Sequence, residues 1–150
     1  MYPLRFVAAP LLLTLTLGAS VSAQTRTVEL VATDDMKFST TTIEARPGES
    51  LRIVVKGSGQ MAKIAMAHNF VLLNKGASVV EFATAAMNAR ATDFVPADKK
   101  ADVLAATGLA GAGETVEVTF KVPAATGDYP YICSFPGHFQ AGMRGTLTVK

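Results

Sequence analysis

The sequence predicts an all-β domain, a Greek-key β-sandwich or barrel with one helical flap inserted into it. Three observations point there. Short runs rich in Val, Ile, Thr and aromatic residues recur between Arg26 and Val149, most of them closed by Gly, Pro, Asn or Asp. The apolar pattern changes to a helical period between Ala77 and Arg90. Gln24 to Lys150 is the right length for one core, with no internal repeat, linker or second domain.

Taken in order, Thr27 to Val31 alternate loosely, and Asp34-Asp35 turns the chain before Met36, Lys37 and Phe38. Thr41 to Glu44 leads into Arg46-Pro47-Gly48-Glu49, where proline presets its own φ and glycine tolerates a positive one. Leu51 to Val55 reads as a strand with much of its surface buried, ended by Gly57-Ser58-Gly59. A methionine-containing link, Gln60 to Ala67, precedes His68, which is expected to start a strand running through Asn69 to Leu73.

From Ala77 to Arg90 the spacing is helical. Ser78 followed by Glu81 is a capping-box signature, and Val79, Phe82, Ala83, Ala86 and Met87 form the face expected to pack on the core. The segment to Gly113 is rich in alanine and glycine, with a second helical turn expected at Ala101 to Ala106. Residues 75–113 therefore read as a flap outside the sheets. Glu114 to Val122 alternates as a half-buried strand, Thr126-Gly127-Asp128 turns into Tyr129 to Cys133, and Gly145 to Val149 closes the fold. Tyr129 is placed for a tyrosine corner, its hydroxyl bonding back to upstream backbone.

The first residues stand apart. Arg5, the apolar run Phe6 to Ala19 and the small-residue site Val21-Ser22-Ala23 read as a cleaved secretory signal peptide over residues 1–23. The run falls short of the ~20 residues that span a bilayer and contains Pro10 and Gly18. The domain is then 24–150, and the expected location is the periplasm.

Removing Arg5 takes the formal charge from +2 to +1, with both signs interspersed. No clustered basic stripe marks a nucleic-acid partner. The single cysteine can form no disulfide within the chain, so it is an inert core thiol, half of an intermolecular bridge, or a functional thiolate.

Cys133 is followed by His138 and Met143, each five residues on, within YPYICSFPGHFQAGMRGTLTV. Thiolate, imidazole and thioether, joined by a second imidazole, are the donors of a blue-copper centre, and the chain has one other histidine, His68. Two imidazoles and a thiolate suit both the cuprous and the cupric ion. Pro136-Gly137 turns the loop so that Cys133 and His138 can face one ion.

AHNFVL around His68 and YICSFPGHFQAGMRGTLTV resemble the two ligand motifs of the cupredoxin family, in its azurin and auracyanin branch. The resemblance extends more weakly over most of Thr27 to Val149. It implies a cupredoxin-like fold and one type 1 copper ion, with His68, Cys133 and His138 as strong ligands and Met143 as the weak axial one. It also implies that Asn69 ties the two ligand segments together at Cys133 and Ser134, and that backbone N–H groups near Phe135 donate to the sulfur. Azurins usually have glycine before the first histidine; here the candidate for a distant carbonyl contact is Ala67. Four residues separate His138 from Met143, where azurins have three, which is closer to auracyanin.

The resemblance implies a single-electron carrier rather than an enzyme, docking through an apolar collar around the exposed edge of His138. Met36, Met61, Met66, Phe135 and Phe139 are the collar candidates. The expected partners are redox proteins such as a c-type cytochrome or a copper or haem oxidoreductase, met by a monomer with no membrane contact after cleavage. A copper-binding or copper-delivery protein without redox turnover would use the same ligands. A cysteine nucleophile lacks an orienting third group, and multi-copper enzymes need more histidines. Zinc at this site would be adventitious.

Overall fold

The computed structural model describes residues 24–150, so the expected signal peptide lies outside the described residues. Among the described residues, no helix is long and apolar enough to cross a membrane.

Among the described residues, nine strands form two sheets packed as a sandwich, and the sheets do not join into a closed barrel. In the first, β1 (Arg26–Thr33) lies between β2 (Lys37–Phe38) and β4 (Ser50–Ser58), and β7 (Thr115–Lys121) forms the far edge. The second sheet runs β3 (Thr42–Ala45), β9 (Arg144–Val149), β8 (Gly127–Ile132), β5 (Val71–Leu73) and β6 (Val103–Ala106). β1 pairs with β4 in parallel, as β3 does with β9, so the chain must cross between the sheets rather than meander.

Alternation along the strands sends Leu30, Ile53, Val55, Leu72, Tyr131 and Leu147 between the sheets, where they are at most 1% exposed. Cys133 and Met143 belong to this same core. The opposite face of the second sheet presents Val71, Leu73 and Ile132 to a smaller core closed by Phe82 and Ala83. β5 is thus buried on both faces, which is why its sequence is a continuous apolar run. Tyr129 makes the expected corner, its hydroxyl donating to the Ala125 carbonyl at 2.8 Å.

The flap differs from expectation in three ways. The helix α1 spans Val79–Ala86, capped by Ser78, whose hydroxyl accepts from the Glu81 N–H at 3.4 Å. The Glu81 carboxylate pairs with Lys99 instead of completing the box. Met87 is not core: the helix ends one residue before it, and its side chain is 46% exposed. The turn expected at Ala101 to Ala106 is a 3-10 helix over Ala97–Asp102 followed by β6, because the free edge of β5 needs a hydrogen-bonding partner. The flap thus adds the last strand of the second sheet rather than lying wholly outside it.

Candidate metal centre

Three structural segments converge at one end of the sandwich. His68 does not begin a strand: it forms an isolated bridge with Ala110, donating to its carbonyl at 2.9 Å and accepting its N–H at 2.8 Å, three residues before β5. That bridge fixes the backbone by two hydrogen bonds and leaves the ring buried, 2% exposed. Cys133 follows the last residue of β8, and its N–H donates to the Met143 carbonyl at 3.1 Å. The loop between them is held by His138 N–H to Phe135 carbonyl, 3.1 Å, and Met143 N–H to His138 carbonyl, 2.9 Å. Gly137 and Gly142 take φ of +86° and +92°, left-handed values that a side chain would oppose.

These constraints bring one donor atom from each of His68, Cys133 and His138 within 4.8 Å of one another, all three residues buried. Cys133 Sγ lies 3.3 Å from His138 Nδ1, and the two imidazole rings are 4.9 Å apart. Met143 is fully buried beside them in the core. The Ala67 carbonyl faces the sulfur from 4.0 Å. His68 Nδ1 is buried without a hydrogen-bond partner. A buried ring nitrogen without a partner, on an imidazole gathered with a thiol and a second imidazole, is what a bound cation would satisfy.

Electrostatics agree. Burial pushes the Cys133 thiol up to about 12, although the backbone N–H groups of Asn69 and Phe135 act on the sulfur in the opposite direction. Burial, and then the neighbouring His68, lowers His138 to about 4. Burial also lowers His68, with Asp34 opposing it. Two neutral imidazoles and a thiol that ionises only beside a cation are a metal-ready set.

The segments are laced together by Asn69. Its Oδ1 accepts from the Ser134 N–H at 2.8 Å, and its Nδ2 donates to Ser134 Oγ at 2.9 Å and to the Asp93 carbonyl at 3.0 Å. The backbone N–H groups of Phe135 and Asn69 both lower the thiol; the part played by Asn69 N–H, and the link to Asp93, have no signature in the sequence.

The profile described as copper binding proteins of the plastocyanin/azurin family matches residues 25–150. The chain belongs to that family. It is 38% identical to azurin of Pseudomonas fluorescens biotype C over 126 residues, 82% of this chain and 97% of that protein. It is 39% identical to auracyanin-B of Chloroflexus aurantiacus over 136 residues, 88% of this chain, and spans 56% of that longer protein. The solved structure of auracyanin A from Chloroflexus aurantiacus, described as a "blue" copper protein, superposes with a TM-score of 0.74 at 34% identity, covering 85% of this chain and all of that one. His68, Cys133, His138 and Met143 in this cupredoxin are arranged as a type 1 copper site.

The collar differs from its expected form. The edge of His138 expected to be open is nearly closed, the residue being 2% exposed. Phe135 packs on its ring, centroids 4.8 Å apart. Met36 packs against the main core, and Phe139 against the smaller one with the Arg144 guanidinium over its ring. Met61 is 45% exposed and Met66 half-buried. A groove of about 700 Å³ opens on the flap side of the ligand loop instead, lined by Ile64, Met87, Phe94, Leu109, Phe135 and Pro136 among others. The sequence carries no clear signal for this groove, since the helical spacing of Met87 places it on the core face while its side chain is exposed.

Proposed function

We propose that the protein carries single electrons between larger redox proteins, with one copper ion held by His68, Cys133, His138 and Met143. The observation that carries this reading is the assembled, buried donor set with His68 Nδ1 left without a partner. Copper bound there supplies a one-electron couple between its cuprous and cupric states. The chain supplies everything else. Two backbone N–H groups steady the sulfur, the Asn69 bridge fixes the separation of the two ligand segments, and a core that is 0–2% exposed keeps water out. A site built before the ion arrives changes little when the charge changes.

The same enclosure favours carriage over delivery, because releasing the ion would require opening a core. Export after loss of residues 1–23 would place the protein in the periplasm as a monomer. There a c-type cytochrome or a copper or haem oxidoreductase would dock on the groove beside Phe135. Lys63 at the groove is paired with Glu114, and the other two charges on its lining, Arg90 and Asp93, are opposite in sign, so apolar contact should dominate over electrostatic steering.

Stopped-flow mixing of the reduced copper protein with an oxidised c-type cytochrome tests this. Fast, reversible exchange that varies little with salt supports it. Transfer of the metal to an apo-acceptor without electron exchange would replace it with delivery.

A further inference from the structure

Asp93 and Phe94, in the flap, are consecutive non-glycine residues in the left-handed region, with φ of +52° and +60°. Side chains oppose that conformation, and it persists only where surrounding contacts fix it. Some of those contacts are local: Phe94 N–H donates to the Ala89 carbonyl at 2.9 Å, and the Thr92 hydroxyl lies 3.0 and 2.7 Å from the carbonyls of Ala89 and Val95. The others reach the metal centre. The Asp93 carbonyl accepts from Asn69 Nδ2, and the Phe94 ring meets Phe135 edge-on at 5.0 Å. Phe135 in turn lies on His138.

We infer that this strained turn is a positioning element for the copper site, acting on both ligand segments at once. The Asn69 amide can be read only one way round, because the Ser134 N–H requires an acceptor and the Asp93 carbonyl requires a donor. Asp93 therefore sets the orientation in which Asn69 holds the residue after Cys133. Phe94 closes the second arm by backing the ring that covers His138. Grooves of about 530 and 700 Å³ flank the turn, and Asp93 borders both, so little else packs there to do the same work. The role is that of the backbone of Asp93 and the ring of Phe94, and it rests on the copper-carrier reading above.

The test compares Phe94→Ala, Phe94→Tyr, Asp93→Val and Asp93→Gly with the wild type. In the apo proteins, amide exchange at Ser134 should rise about tenfold in Phe94→Ala, the size of one lost aromatic pair, with Leu147 in β9 unchanged. Asp93→Val, whose branched side chain opposes positive φ, should do the same; Asp93→Gly, which keeps the carbonyl and accepts that φ, should not. In the copper-loaded proteins, the absorption maximum and reduction potential should shift in Phe94→Ala and Asp93→Val and return in Phe94→Tyr. Should Phe94→Ala unfold the flap, seen as faster exchange at Phe82, Phe94→Leu decides, since it keeps an apolar side chain without a ring edge. Wild-type exchange at Ser134 and an unshifted spectrum in these variants would overturn the inference. A wild type that is not blue would instead overturn the reading on which it rests.

Discussion

Asn69 and Ser134, 65 residues apart in the chain, share a buried set of contacts in which Asn69 Oδ1 accepts the Ser134 N–H at 2.8 Å and Nδ2 reaches Ser134 Oγ at 2.9 Å. One follows His68 and the other follows Cys133, so this pair fixes how far apart two metal ligands sit. Asn69→Ala leaves the buried Ser134 N–H without an acceptor, which costs roughly 1–3 kcal/mol. Urea unfolding of the apo protein should show that loss. An unchanged midpoint would mean that water or a shifted loop replaces the amide.

The metal-free site holds its proton on sulfur. With the Cys133 thiol raised to about 12 by burial, and both histidines lowered and therefore neutral at pH 7, binding Cu(II) should release about one proton per ion. Calorimetry in buffers of different ionisation enthalpy measures this. Release of no proton would place the thiolate in the apo state, and release of more than one would mean protonated imidazoles.

Acid should loosen the apo protein through the histidines. Burial, then His68, lowers His138 from 6.5 to about 4, so between those values the unfolded chain binds more protons than the folded one. Stability is present in full above pH 6.5 and declines as pH falls toward 4. Copper competes with those protons, so melting of the loaded protein should be less sensitive over the same window. A flat apo profile between pH 6.5 and 4 would contradict this.

Gly145, the second residue of β9, lies directly opposite Tyr131 of β8. A Cβ there would collide with the Tyr131 ring, whose hydroxyl donates to the Thr40 carbonyl at 2.6 Å, and with the Thr41 carbonyl. Gly145→Ala should destabilise by roughly 1–3 kcal/mol, the usual range for overpacking, read from thermal or urea unfolding. A neutral effect would mean that the start of β9 yields more readily than its packing implies.

The ligand loop was legible because Cys133, His138 and Met143 fall close together in sequence, and His68 because no other histidine competes with it. The double burial of β5 was legible as an unbroken apolar run. What could not be read depends on contacts made only in the finished fold. Val103–Ala106 is too short and alanine-rich to show a period, and it becomes a strand because β5 offers it an edge. Asp93 and Phe94 carry no glycine to announce a positive φ; their conformation answers to Asn69 and Phe135. Met87 fits the helical face in sequence, but the helix stops before it, and Phe139 turns to the smaller core under Arg144.

The visible and EPR spectra of the copper-loaded protein, measured beside Cys133→Ser, test the copper centre most directly. The oxidised wild type should be intensely coloured, bleach reversibly on reduction, and lose the colour when sulfur is replaced by oxygen at Cys133. A colourless Cu(II) complex of the pure wild-type protein would contradict it.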